Sequence, residues 1–118
     1  MIKGIGIDIV ELERIKTSLN NSNRFLQRIL TDNEIEIYSD LRSDRRKLEF
    51  LAGRFAAKEA YSKAVGTGIG KLSFKDIEVI RLASGAPKLI VKDSKSANIF
   101  VSISHSEAYA IAQVIIEE

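Results

Sequence analysis

The chain opens on an alternating stretch. In residues 2–10, IKGIGIDIV, Ile5, Ile7 and Ile9 fall on one side and Gly6, Asp8 and Val10 on the other. A period of two is the mark of a strand, and the isoleucine side is the one expected to face a core. The period then lengthens. Residues 11–20 and 23–30 have helical spacing on either side of the turn-prone NNSN, with Leu26, Ile29 and Leu30 on one face. Thr31 or Asp32 is placed to cap a third helix over DNEIEIYSDL, with Ile35, Tyr38 and Leu41 inward. Residues 45–65 predict the longest helix, its buried stripe made by Leu48, Leu51, Ala52, Phe55 and Ala56. After GTGIG at 66–70 the alternation returns. Residues 75–82 and 89–91 predict a hairpin around the turn SGAP at 84–87, and 99–104 and 109–116 two further strands joined by HSEA. Residues 110–116 are apolar on both sides apart from Gln113, so that strand is expected to be buried twice, inside the fold or at a subunit interface. One strand, then helices, then a run of strands predicts an α+β fold.

The 118 residues point to a single domain over 1–118, large enough for a real core. A chain that is 45% hydrophobic and 29% charged reads as soluble and globular. With no cysteine, a disulfide framework and thiolate chemistry are excluded. The N-terminal apolar run is broken by Lys3 and Asp8, unlike a secretory signal, and no stretch approaches the ~20 apolar residues that span a bilayer. A cytoplasmic location with no membrane partner is expected. The net charge of +2 is uneven along the chain. Residues 31–41 hold four acids and no base, whereas 42–63 hold seven bases and three acids, and 11–30 four bases and two acids. Basic charge concentrated in two segments suggests anionic partners, or a solvated helix face.

Several residues bear on chemistry. Asp8 lies in a strand among isoleucines, where burial demands a cation or hydrogen-bond donors. Glu59 sits in the C-terminal half of the long helix, where the helix dipole does not favour an anion. It can pair with Lys63 one turn on, or join Asp8 in offering two carboxylate ligands to Mg²⁺. GTGIG lacks the GK[ST] of a Walker motif and follows a helix, so Gly66 can be a simple helix cap. Its glycines also permit close approach of an anion, with Arg54, Lys58 and Lys63 supplying charge. His105, the only histidine, stands at a strand end, where it can contact phosphate or serve structure. Ser102, Ser104 and Ser106 lie near it, but no G-x-S-x-G elbow supports a hydrolase. Arg14, Arg24 and Arg28 sit on the early helices, with Phe25 beside Arg24, as a docking face for an acidic partner or as solvated charges.

Four segments together resemble one family. GIDIVELERI at 6–15, FLAGRFAAKEAYSKAVGTGIG at 50–70, SGAPKL at 84–89 and VSISHSEAYAIAQVII at 101–116 are similar to the holo-acyl carrier protein synthases, the small 4′-phosphopantetheinyl transferases. The resemblance runs end to end. It implies transfer of phosphopantetheine from coenzyme A to a serine of apo-acyl carrier protein, in support of fatty acid biosynthesis. It implies Mg²⁺ held by Asp8 and Glu59, and coenzyme A contacts from Lys63, His105, Arg54, Gly66, Thr67 and Gly68, with Arg46 a candidate for the 3′-phosphate. Arg14, Arg24, Phe25 and Arg28 match the surface for the carrier protein. Asp8, Glu59 and Lys63 become the catalytic set, with Glu59 the first candidate for general base. A homotrimer with active sites between subunits is implied as well. Two-domain relatives carry a third acidic ligand where this chain has Val10. An RNA-binding domain would want exposed aromatics for stacking, and the Phe and Tyr residues here fall mostly at core-like positions. A non-enzymatic docking module would leave Asp8, Glu59 and GTGIG without a purpose.

Overall fold

Every predicted element is present, in the predicted order. The computed structural model describes residues 1–68, 72–92, 94 and 98–118. Strand β1 covers Ile2–Glu11, and helices α1 (Leu12–Asn21), α2 (Phe25–Ile29), α3 (Asp32–Asp40) and α4 (Asp44–Val65) follow. Strands β2 (Ile77–Arg81), β3 (Pro87–Val91), β4 (Asn98–His105) and β5 (Tyr109–Glu117) complete the chain. The fold is α+β, and all strand pairings are antiparallel. Local chemistry explains the boundaries. Thr31 caps α3 in a reciprocal box with Glu34, and the Ser43 hydroxyl accepts from Arg46 N at 3.0 Å to start α4. Gly66 ends α4 in the left-handed region at φ 89°, a conformation open to glycine.

The strands form two sheets. β5 lies between β1 and β4, and among the described residues β2 pairs only with β3, around the turn at Gly85, φ 91°. Helix α4 crosses the inner face of the three-stranded sheet. Its buried Leu51, Ala52, Ala56, Ala57 and Ala60 meet Val10, Ala110, Ala112, Val114 and Ile116 from the sheet.

One expectation is reversed. Ile5, Ile7 and Ile9 are 57%, 53% and 61% exposed, while Gly6 and Val10 on the other side of β1 are buried. The inner side is chosen by size. A methyl group on Gly6 would overlap the Ala60 carbonyl oxygen, and one on Gly4 the Ala64 carbonyl oxygen. Bare glycine backbone lets α4 lie directly on β1, and an isoleucine row there would hold the helix off. The isoleucines therefore face outward. There they pair across strands with β5, Ile5 opposite Ile115 and Ile9 opposite Ile111, and Phe100 of β4 continues the row beyond Ile115. β5 is thus covered by α4 on one side, while its other side is left half-buried.

Candidate active site

Asp8 follows Gly6 on the inner side of β1. The approach that seats Ala60 and Ala64 on the strand also brings Asp8 to the side of α4 that carries Glu59 and Lys63. Lys63 Nζ donates to Asp8 Oδ1 and to the Ile7 carbonyl, each at 3.0 Å. The ion pair that forms therefore joins Lys63 to Asp8 across the fold. Burial raises the Glu59 carboxyl above the usual carboxylate range, the Asp8 charge raises it further, and Lys63 partly offsets both. Asp8, Glu59 and Lys63 are thus brought together. Gly66, Thr67 and Gly68 follow at the end of α4, where the Gly66 and Gly68 amides donate to the Ser62 carbonyl at 3.0 and 3.3 Å. Ile69 and Gly70 of the glycine run lie outside the described residues.

A second set gathers elsewhere. Arg46, Arg54 and His105 line a cleft of about 570 Å³ between α4, the β2–β3 hairpin and the end of β4. His105 Nε2 lies 2.9 Å from the Glu49 carbonyl oxygen, and Gly53 makes room for the ring: a methyl there would sit 3.0 Å from Nε2. The Arg54 guanidinium stacks on the Phe50 ring, 3.8 Å from its centroid, and its buried Nε has no hydrogen-bond partner among the described residues. Burial lowers the Arg54 pKa, the Glu34 charge opposes this, and the Arg81 charge reinforces it. A half-buried guanidinium beside a second arginine, with an unused buried donor, suits an anionic ligand. Arg81 is a cleft residue that sequence reasoning missed. Its position at the end of β2 acquires meaning only when the hairpin folds against α4.

The two sets do not meet within one chain. Arg54 and Lys63, nine residues apart at 100° per residue, point to opposite sides of α4. Arg46 and Lys63 are separated by about 25 Å along the helix axis, at about 1.5 Å per residue. Asp8 lies at the β1 edge of the sheet and His105 at the β4 edge, with β5 between.

Lys58 corrects another expectation. It was expected to supply charge to the glycine loop. Instead it is fully buried and bound to Glu34 Oε1 at 2.5 Å and to the Ile29 carbonyl at 2.7 Å. Its position shares a helix face with Leu51, Phe55 and Ser62, which carries it into the core. The docking set is placed on the outside. Arg14, Arg24 and Arg28 are exposed, and Phe25 is half-buried against Phe55, with ring centroids 6.4 Å apart.

Among the described residues, no group of three or more carboxylate, imidazole or thiol side chains gathers to hold a metal. The donor set that is present fits Mg²⁺ all the same. Mg²⁺ takes one or two protein carboxylates and completes its shell with water and phosphate oxygens. The mutual repulsion of Asp8 and Glu59 is the kind of strain a divalent cation relieves.

The sequence pattern of the 4′-phosphopantetheinyl transferase superfamily matches residues 4–114. The chain is 55% identical over 117 residues to a holo-[acyl-carrier-protein] synthase of Oceanobacillus iheyensis, covering 99% of this chain and 98% of that protein. It is 59% identical over 118 residues to one of Geobacillus sp., with the same coverage. A holo-(acyl-carrier-protein) synthase from Bacillus anthracis in complex with CoA (3′,5′-ADP) superposes with a TM-score of 0.91 at 55% identity, over 100% of this chain and 98% of that one. A Helicobacter pylori holo-[acyl-carrier-protein] synthase in complex with coenzyme A matches with a TM-score of 0.83 at 38% identity, over 96% and 99%.

Proposed function

Because the chain belongs to the 4′-phosphopantetheinyl transferase superfamily, among the holo-acyl carrier protein synthases, we propose that it works through a composite site completed by two copies of itself. The enzyme transfers the 4′-phosphopantetheine group of coenzyme A to a serine of apo-acyl carrier protein, releasing adenosine 3′,5′-bisphosphate. The observation that carries the composite reading is the split of charged groups between opposite edges of the sheet. The pyrophosphate and the 3′-phosphate of coenzyme A sit on one ribose. They cannot reach residues on opposite sides of α4, so one copy supplies Asp8, Glu59 and Lys63 and a neighbour supplies Arg46, Arg54 and His105. The outward row of Ile5, Ile7, Ile9, Ile111, Ile115 and Phe100 is the apolar surface such an assembly would bury. A contact between two different patches forms a ring when its rotation closes, and we read that ring as a homotrimer with three equivalent sites.

In this reading Asp8 and Glu59 hold Mg²⁺, which when bound neutralises phosphate charge and orients the pyrophosphate. Lys63, already fixed between the Ile7 carbonyl and Asp8, is placed to contact a phosphate oxygen. Gly66, Thr67 and Gly68 flank it with a chain lacking bulk. The serine oxygen attacks the β-phosphorus, the bond from that phosphorus to the bridging oxygen breaks, and adenosine 3′,5′-bisphosphate leaves with the electron pair. Glu59 takes the hydroxyl proton, directly or through a water. Arg14, Arg24 and Arg28, with Phe25, receive an acidic face of the carrier protein. No helix among the described residues is long and apolar enough to cross a membrane. With a carrier protein as substrate, we place the enzyme in the cytoplasm, serving fatty acid biosynthesis without nucleic-acid or membrane partners.

Intact-mass measurement of apo-acyl carrier protein, incubated with coenzyme A and Mg²⁺, reads transfer directly. Asp8→Asn and Glu59→Gln should each abolish the mass gain while leaving the fold intact. Near-parent rates for both variants at limiting Mg²⁺ would overturn the assignment.

A further inference from the structure

Every polar contact of the buried Glu34 carboxylate comes from a donor. Oε1 accepts from Thr31 N at 2.9 Å and from Lys58 Nζ at 2.5 Å, and Oε2 accepts from Val79 N at 2.8 Å. Lys58 donates in addition to the Ile29 carbonyl. Four segments are therefore fastened at one point: the end of α2, the start of α3, the middle of α4 and strand β2. Two of them wall the cleft that holds Arg46, Arg54 and His105. Helix α4 presents Arg54 one turn before Lys58, and β2 runs from Val79 to Arg81 two residues later. The β2–β3 hairpin is a sheet of its own, so strand pairing with the main sheet does not set its position. Core packing of Ile77, Val79 and Leu89 seats the hairpin, and hydrogen-bonded ties orient it. The ties are the Val79 amide on Glu34, and the Glu78 carboxylate, which accepts from Thr31 Oγ1 at 2.5 Å and Asn33 Nδ2 at 3.5 Å.

We propose that Glu34 is a positioning residue for the coenzyme A cleft, setting through the Val79 amide where the hairpin and its Arg81 stand against Arg54. The inference rests on reading that cleft as a nucleotide site. Its chemistry requires a carboxylate. A carboxylate offers only acceptors, whereas an amide offers one acceptor and one donor group. With glutamine at this position either the Val79 N–H or the Lys58 ammonium would face an NH₂, and a buried donor would lose its partner. Lys58 plays a different part. It neutralises Glu34 and binds Ile29 but, among the described contacts, makes no hydrogen bond to β2.

That difference gives the test. Glu34→Gln, Lys58→Met and Glu78→Ala are compared with the parent in the whole protein. The readouts are melting temperature, kcat, and separate KM values for coenzyme A and carrier protein. Glu34→Gln should raise KM for coenzyme A about tenfold, with kcat and the carrier-protein KM within about twofold of the parent. Lys58→Met keeps the Glu34–Val79 bond, so it should lower the melting temperature at least as much while KM for coenzyme A stays near the parent value. Glu78→Ala removes the outer tie without emptying the core. It should raise KM for coenzyme A about threefold, and it carries the test if the buried variants do not fold. An unchanged KM for coenzyme A in Glu34→Gln or in Glu78→Ala would overturn the proposal, as would an equal rise in Lys58→Met. Arg54→Met in the same assay separates the two levels. If it leaves KM for coenzyme A unchanged, the nucleotide reading of the cleft fails. If it raises KM while Glu34→Gln does not, the positioning role alone fails.

Discussion

Gly6→Ala adds one methyl group more than a strand residue away from the carboxylate it is expected to disable. The new Cβ would overlap the Ala60 carbonyl oxygen and lie 2.8 Å from the Ala64 amide nitrogen. Both obstacles are backbone atoms of α4, so no rotamer change relieves them, and trimming the Ala60 or Ala64 side chains would not help. Ordinary van der Waals contact begins at 3.4 Å. β1 must therefore back away from α4, and Asp8 moves with it, away from Glu59 and Lys63. A displacement of roughly 1 Å in a catalytic constellation can lower rates by about a hundredfold. Overpacking of a close-fitting core costs about 1–3 kcal/mol. We expect Gly6→Ala to fold with a lowered melting temperature and to lose about a hundredfold in kcat/KM for phosphopantetheine transfer, read by the mass of the carrier protein. Gly53→Ala is the control. Its methyl would meet the His105 and Ile103 side chains at 3.0–3.3 Å, and these can shift. It should leave the Asp8 site untouched and act, if at all, on KM for coenzyme A. A folded Gly6→Ala protein with near-parent kcat/KM would refute the claim that the β1–α4 approach sets the Asp8–Glu59–Lys63 geometry.

Further expectations follow from the same contacts. Burial and the Asp8 charge let folded Glu59 hold its proton to higher pH than the unfolded chain does, so its contribution to stability falls as pH rises from the ordinary Glu range through the raised value. In EDTA, Glu59→Gln should therefore gain stability relative to the parent on going from acid to neutral pH, and parallel melting curves for the two proteins would contradict this. Ile7→Asp places a charge in the outward apolar row and should convert the assembly to monomers in sedimentation while the single-chain fold persists; an unchanged sedimentation coefficient would remove that face from the interface. Arg24→Glu combined with Arg28→Glu should weaken carrier-protein binding strongly with coenzyme A binding unchanged, and the parent's carrier-protein affinity should fall with salt, since such charges are screened over about 10 Å at 0.1 M. Equal loss of both ligands would move these arginines out of the docking face.

Periodicity and caps made much of the fold legible. Alternation marked β1, a capping residue at Thr31 or Asp32 marked the start of α3, and Gly66 marked the end of α4. Alternation does not say which side of a strand is inside. For β1 the answer lay in Gly4 and Gly6 matched to Ala60 and Ala64, a pairing between distant segments that exists only once the helix lies on the strand. Lys58 was readable in principle, because it continues the face of Leu51 and Phe55 into the core, and the inward Glu34 of the capping box was its partner in waiting. Arg81 was not readable, since its role depends on where a separate hairpin docks. The candidate site residues could be named one by one from the sequence, but their division between the two edges of a sheet follows from tertiary structure alone.

Subunit complementation tests the composite site most directly. Asp8→Asn disables the half-site at the β1 edge and Arg54→Met the half-site in the cleft, so each homogeneous assembly should be nearly inactive at limiting coenzyme A. In a mixed assembly, some interfaces join the intact Asp8, Glu59 and Lys63 of one copy to the intact Arg46, Arg54 and His105 of another. Dissociating the two variants, mixing them and reassembling them should restore phosphopantetheine transfer that neither shows alone. Mixed assemblies that form, as verified by mass, yet remain as inactive as their parents would contradict a site shared between copies.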